Sequence, residues 1–402
     1  MSYIQYNDVT IKNIEDVLGR SSLFTSFGEN IITFRRFQVS AQFHYNLSHD
    51  DFNLETTNSG TLTTLDSMLQ CSSGTTTNST AKISSKSYIT YEAGCEIFCL
   101  FTAIFNSPIA GTYQRIGAFD NNDGFFIGYD TSNNFLICRR KGTVDYQITQ
   151  QSFNLDKLDG TGSSGFIIDT TKTNLYMISF GWLGIAPITF WVNGGANIGW
   201  IPFHVIELIN NYVGPSINNP VVPITAQVSN GNTQSNVLLR SVCWSGGIHK
   251  VGEEDAGLRK FSQDSLKTIN NNTNTNIITL KNDLTFMGSV NKIAVLINSI
   301  SYTTDGGNST KPVKIYVYKD ATFNGTAQYI STDLDSVVLY NTSSTSYKTG
   351  KLLLCIGTIS NGGGLYELSK PIKFYPGETV SFCALCSSSN IVQIAVNWEE
   401  NF

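Results

Sequence analysis

The sequence predicts an all-β protein made of two β-sandwich units, the first of jelly-roll or lectin-like type, preceded by a short N-terminal helical segment. Three observations carry that prediction. Charged residues make up only 14% of the 402 residues and aromatics reach 12%, whereas long helices recruit Glu, Lys, Ala and Leu. Asn, Ser, Thr and 34 glycines fill the polar positions, supplying the positive-φ residues of tight turns. Between them, short runs rich in aromatic and β-branched residues alternate with a period of two, as half-buried strands do.

Taken in order, residues 1–29 form an arm in which "NIEDVLG" (13–19) predicts one or two helical turns, Asn13 capping and Gly19 terminating. Residues 30–248 are the first sandwich. "ITFRRFQVSAQFHY" alternates as a strand and "YEAGCEIFCLFTAIF" reads as a core strand. "QRIGAFDNNDGFFIGYD" (114–130) is a hairpin, with Ile116, Ala118, Phe125 and Ile127 flanking the turn Asn121-Asn122-Asp123-Gly124. "NFLICRRK" is the next strand, and "TNLYMISFGWLG" another. "PITFWV" and "WIPFHVIEL" form a hairpin around "NGGANIG", and "NVLLRSVCWSGGI" closes the unit. The charged "HKVGEEDAGLRKFSQDS" and the polar "TINNNTNTN" predict a linker over 249–275. A second sandwich over 276–402 is signalled by "NKIAVLINSISY", "VKIYVYKDATF", "TVSFCALCS" and "IVQIAVNWEENF".

Composition excludes some functions. A net charge of -5 without clustered Lys and Arg argues against nucleic acid, and Arg139-Arg140-Lys141 reads as a solvated hairpin end. The longest apolar run, "CEIFCLFTAIF", is too short to span a bilayer and carries Glu96, so no membrane insertion is expected. The first residues lack the basic and apolar regions of a signal peptide. The eight cysteines are sparse and mostly in apolar surroundings, which predicts assembly in a reducing compartment with thiols largely unoxidised.

The stretch "NLDKLDGTGSSG" (154–165) sets Gly160, Gly162 and Gly165 in G-x-G-x-x-G spacing. A dinucleotide loop needs a buried strand before it and a helix after it, and neither is predicted here. Asp159-Gly160-Thr161 echoes aspartate-nucleophile phosphatases, but Lys157 stands where the nucleophile belongs. An aspartic protease would need Asp-Thr-Gly and a second copy. The glycines therefore predict a tight connection, with Asp159 and Asp169 bonding local backbone.

Calcium is the metal to consider. Asp120, Asn122 and Asp123 crowd one turn, and Asp159 and Asp169, with Asp156, bracket another; converging oxygens suit a hard cation. Gly124 lacks the side-chain ligand an EF-type loop would need there, and turn chemistry accounts for the acids. His44, His49, His204 and His249 are scattered, and Cys383-x-x-Cys386 puts its thiols on opposite faces of a strand, so no zinc site is predicted. There is no G-x-S-x-G elbow, and Glu253, Glu254 and Asp255 lie together on a connection instead of facing across a cleft. No cofactor and no enzyme activity are expected. Trp182, Trp191 and Trp200 on neighbouring strands are the glycan-stacking candidates, with core packing as the plainer reading.

The runs "QRIGAFDNNDGFFIGYD", "QSFNLDKLDGTGSSGFIIDTTKTNLYMISFGWLG" and the closing "FYPGETVSF … IAVNWEENF" resemble a group of virion structural proteins of tailed bacteriophages and of large double-stranded DNA viruses of protists and algae. The resemblance runs from Tyr91 to Phe402 and is strongest over 114–184, its most specific element being "LDGTG-x-SG" joined to "D-x-T-K … F-x-W-L-G". It implies a minor capsid, decoration, fibre or tail component, assembled in the host cytoplasm and located in the virion. That component would pack against other virion proteins as a symmetric homo-oligomer, with a trimer as the working number. The family offers no catalytic residue to carry over. A host glycan-binding attachment module is the alternative, and a polysaccharide hydrolase the third reading. Sequons at Asn46, Asn78, Asn271, Asn308, Asn324 and Asn341 carry no weight in a chain this rich in Asn, Ser and Thr.

Overall fold

The computed structural model describes residues 34–182, 186–250, 258–270 and 272–402. The helical turn expected at 13–19 lies outside them. The chain divides into two compact units, Met1–Glu253 and Glu254–Phe402.

The first unit carries β1 (Phe34–Gln42), β2 (Phe52–Thr57), β3 (Thr61–Leu65), β4 (Met68–Ser72), β5 (Thr80–Ser85), β6 (Glu96–Ala103), β7 (Tyr113–Phe119) and β8 (Gly124–Tyr129). It continues with β9 (Phe135–Lys141), β10 (Val144–Thr149), β11 (Asn174–Phe180), β12 (Ile188–Asn193), β13 (Trp200–Ile206), β14 (Ile224–Ser229), β15 (Leu238–Ser241) and β16 (Cys243–Lys250). They form a six-stranded sheet in the order β1-β16-β6-β11-β12-β13 and a seven-stranded sheet in the order β10-β9-β8-β7-β14-β5-β2, with β15-β4-β3 as a third. Alternation explains the packing. Ile97, Cys99 and Phe101 of β6 and Tyr176, Ile178 and Phe180 of β11 share one core with Ile116 and Ala118 of β7 and Phe125 and Ile127 of β8. The Phe125 and Phe180 rings meet at 4.6 Å.

The expected hairpin at 114–130 forms, with Ala118 opposite Phe125, Ile116 opposite Ile127, and Gly124 already paired with Phe119 as the first residue of β8. Arg139-Arg140-Lys141 is a correction. Arg139 and Arg140 are buried strand residues of β9, and Arg139 Nη1 donates to the Ser216 carbonyl at 2.8 Å. The run is not a solvated end, because the hairpin continues through Gly142 (φ 57) and Thr143 (φ 73) into β10.

The second unit holds β17 (Leu258–Ile269), β18 (Thr275–Asn282), β19 (Thr285–Phe286), β20 (Ser289–Val290), β21 (Val295–Asp305), β22 (Val313–Phe323), β23 (Ile330–Ser331) and β24 (Val338–Asn341). Then follow β25 (Tyr347–Thr358), β26 (Asn361–Phe374), β27 (Thr379–Cys386) and β28 (Asn390–Asn401). A four-stranded sheet, β17-β28-β21-β26, and a six-stranded one, β23-β24-β18-β27-β22-β25, enclose a core containing Ile297, Ile300, Val317, Phe382, Val396 and Trp398. Glu400 is buried and fixed, its Oε1 accepting from Ser336 Oγ at 2.5 Å and Trp398 Nε1 at 2.9 Å and its Oε2 from the Val337 N–H at 3.0 Å.

The linker expected over 249–275 needs correction too. β17 lies inside it and pairs with β28 along its whole length, from Leu258 opposite Asn401 to Ile269 opposite Asn390. Its charges are those of an edge strand, where Arg259, Lys260 and Asp264 face solvent and discourage pairing with another chain.

Candidate functional site

The glycine-rich stretch folds into a loop organised by one buried carboxylate. Asp156 is 2% exposed; its Oδ1 accepts from the Leu158 N–H at 2.8 Å and its Oδ2 from the Ser164 N–H at 2.9 Å. A Cβ on Gly162 would lie 2.2–2.4 Å from that carboxylate, so only glycine lets the chain close over it. Gly160 (φ 87) and Gly165 (φ 64) take left-handed conformations. The loop docks on β13: the N–H groups of Leu155 and Asp156 donate to the Phe203 carbonyl, and Asn154 exchanges two bonds of 2.9 Å with the Val205 backbone. His204 Nδ1 accepts from the Asn154 N–H at 3.2 Å. The next element is the strand β11, so no helix N-terminus meets the glycines.

The acids proposed for calcium are occupied locally. Asp120 Oδ1 accepts from the N–H groups of Asn122 and Asp123, both at 2.8 Å. Asp123 is buried, and its Oδ1 ties in Gly142 N at 3.2 Å and Asn218 N at 2.9 Å. Asp159 and Asp169 each bond the N–H and hydroxyl of the threonine two residues on, Thr161 and Thr171, and those bonds hold both carboxyls below the usual range. Among the described residues, no three His, Cys, Asp or Glu side chains are grouped to hold a metal. Removing calcium with a chelator is expected to leave the melting temperature unchanged, whereas Asp120→Ala lowers stability by about 1–2 kcal/mol through two lost turn bonds. A calcium-dependent melting shift in the wild type would reverse this reading.

The tryptophans do not assemble a platform. Phe190 and Val192 face the core, so Trp191 points to the other side of its sheet, where it is 1% exposed with Nε1 donating to Ser179 Oγ at 3.3 Å. Trp200 lies on that same side, since its strand neighbours Ile201 and Phe203 face the core, and it is half-buried. Trp182 packs against the inter-sheet core, its Nε1 donating to the Ile217 carbonyl at 2.8 Å and its ring set edge-on to Tyr91.

A different cluster comes together on the outer face of the seven-stranded sheet. Strand parity turns Tyr113 and Arg115 of β7, Phe126 of β8, Arg140 of β9, Asp145 of β10 and Gln227 of β14 away from the core. Arg140 forms a two-point pair with Asp145, Nε to Oδ1 at 2.6 Å and Nη2 to Oδ2 at 3.0 Å, and its Nη1 donates to the Asp120 carbonyl at 3.0 Å. The Arg115 guanidinium lies 4.3 Å from the Tyr113 ring centroid and 4.9 Å from that of Phe126. The residue opposite Arg115 on β8 is Gly128, and opposite Phe126 on β7 is Gly117. With no side chains at those positions, the guanidinium can settle over the ring. Gln227, opposite Arg115 on β14, donates from Nε2 to Tyr113 Oη at 3.0 Å. Burial lowers the Arg115 pKa, partly offset by Tyr113 and Asp145.

Sequence reasoning missed this face. The available signal was Arg115-x-Gly117-x-Phe119 alternating against Gln114-x-Ile116-x-Ala118, which places a cation in the middle of a strand whose other side is core.

Fold and site together define a β-sandwich protein with a cationic, aromatic-backed sheet face. No family model and no curated protein matches the chain. Solved structures with partial similarity include the metal-free lectin I-B4 of Griffonia simplicifolia, at 13% identity and TM-score 0.33 over 53% of this chain and 100% of that one. Another is a glycosyl hydrolase family 16 protein of Mycobacterium smegmatis, at 10% identity and TM-score 0.37 over 52% and 100%. A legume lectin-like domain of Entamoeba histolytica matches at 11% and 0.33 over 53% and 97%. None of the three reaches a TM-score of 0.5, and the fold assignment rests on the strand pairing itself.

Proposed function

We propose that the chain is a non-enzymatic structural protein of a virus particle, a minor capsid, decoration, fibre or tail component that packs against other virion proteins as a homo-oligomer. One observation carries this reading. The "LDGTG-x-SG" block, the most specific part of the resemblance, serves as scaffold: Asp156 faces its own loop, Gly162 packs on it, and the loop bonds to β13. In the strands of the seven-stranded sheet the carboxylates are Glu55 of β2 and Asp145 of β10, the two edge strands. Strand spacing puts them roughly 25–30 Å apart along the sheet, against the ~5–10 Å that glycoside hydrolysis needs. Mass spectrometry of purified virions from an infected host is the test. The chain is expected among the particle proteins, and its absence sinks the proposal.

A second reading, glycan binding by the exposed protein on the particle, is favoured by the Arg115 face, whose aromatic-backed donors suit a polar ligand. Binding of no oligosaccharide on an array at high protein concentration would count against it.

A further inference from the structure

Arg115 is unusual among the charged groups of this face. Its one ion-pair contact is long, 3.6 Å from Nη1 to Asp145 Oδ2, with 16% of the side chain exposed. Both Asp145 oxygens are already held by Arg140 at hydrogen-bond distance. Among the described residues the Arg115 guanidinium makes no hydrogen bond, and its side chain stays partly exposed. A guanidinium carries five N–H donors in a planar fork. Here the fork is fixed between two rings, largely desolvated, with its donors still open to an acceptor. Holding a cation in that state is costly unless something accepts from it.

We infer that Arg115 is the anion-recognising residue of this face and that its ligand is a carboxylate-bearing sugar, an inference that rests on the glycan-binding reading above. Charge sets the valence: Arg115 and Arg140 against Asp145 leave one net positive charge, which suits a monoanion better than a phosphate dianion. Shape sets the group, because the planar fork matches a planar carboxylate at two points. Tyr113 and Phe126 keep the guanidinium from swinging away, so little side-chain freedom is lost on binding. Gln227, bonded to Tyr113 Oη, lies opposite Arg115 on the neighbouring strand, within reach of a sugar hydroxyl beside the carboxylate.

The test is calorimetric titration of the full chain with three probes of one backbone: oligogalacturonate, its carboxyl-reduced neutral form, and a sulfated form of that neutral oligomer. Polyglutamate serves as a fourth probe. Oligogalacturonate is expected to bind about tenfold or more tighter than the neutral form. Arg115→Gln is expected to abolish that preference, and Arg115→Lys to lose most of it, because a point charge lacks the fork. Because the guanidinium packs on Phe126 of a buried cluster, each variant is titrated only below its own melting temperature; Arg115→Lys keeps the charge and serves as the control for folding. Equal binding of charged and neutral oligomers, indifferent to Arg115, overturns the inference and leaves glycan binding standing. Tighter binding of the sulfated oligomer or of polyglutamate than of the uronate also overturns it. Binding to none of the probes overturns the inference, and the glycan reading falls with it only if the array is empty as well.

Discussion

Gly162→Ala is expected to lower the stability of the first sandwich by about 3–5 kcal/mol, the largest effect of any single methyl group added to the 154–165 loop. The cause is spatial. The new Cβ would sit 2.2–2.4 Å from the Asp156 carboxylate, which must then leave its bonds to the Leu158 and Ser164 N–H groups. Each buried group left without a partner costs about 1–3 kcal/mol. Gly165 provides the contrast: its φ is 64 but nothing lies within 4 Å of a Cβ there, so Gly165→Ala bears only the left-handed conformational cost of about 1–2 kcal/mol. Calorimetric melting of both variants would separate the two mechanisms. Because the harm passes through Asp156, Gly162→Ala added to Asp156→Ala should cost clearly less than the sum of the two alone. Additive losses would show that the carboxylate is not the obstacle. Neither wild type nor variant is expected to bind a nucleotide in equilibrium dialysis.

The second large effect is on pH. His204 and His249 are both brought from 6.5 down to about 4, by burial in each case and additionally by Arg35 for His249. The unfolded chain therefore holds protons there that the folded chain has released, and stability rises with pH from about 4 to 6.5. Glu96 acts in the opposite sense. It sits on β6 directly opposite His249, with Ser179 and Arg35 nearby. Burial raises it from 4.5 to about 8, against the opposing pull of Ser179 and Arg35. Here the folded chain keeps a proton that the unfolded chain loses, so its contribution is fully present below 4.5 and is lost as pH rises through 8. Below 6.5 it offsets one of the two histidines; above 6.5 it acts without them. Stability of the first unit should peak near pH 6.5 and fall on the order of 2 kcal/mol by pH 8. Glu96→Gln, which stays neutral, should flatten that alkaline fall. Wild-type melting temperatures that are level or rising from pH 6.5 to 8 would mean that Glu96 is ionised and compensated in place. Burial also raises Glu400, against its hydrogen bonds and Arg259, so the second unit should weaken in the same direction.

Much of the architecture was legible because strand period and turn chemistry are local. Ile116, Ala118, Phe125 and Ile127 mark a hairpin and its core face from sequence alone, and Asp120 bonding two N–H groups suits the turn. Edge strands were harder. β17 carries Arg259, Lys260 and Asp264 because one side of it meets water, and that composition reads as a linker until β28 is placed beside it. The Arg115 face was illegible for a related reason. It joins β7, β8, β9, β10 and β14, and β14 lies more than 70 residues beyond the others in sequence. Among the Trp candidates, Trp191 is covered although it holds an outward-facing strand position, because strand parity reports the side of the sheet and not what lies over it.

One pairing recurs in both units. β1 pairs with β16 and β17 pairs with β28, so the first described strand of each unit hydrogen-bonds to its last. Neither sheet can be completed on the ribosome until the final strand of its unit has emerged. At about 5–20 residues per second, β1 waits on the order of ten seconds or more with its apolar face unmatched. Such long-range closure is slow, and loss of β28 would leave both β17 and β21 with open edges. The same pairing sets the first and last described strands of each unit side by side, so each closing strand pair joins residues more than 100 positions apart in the chain.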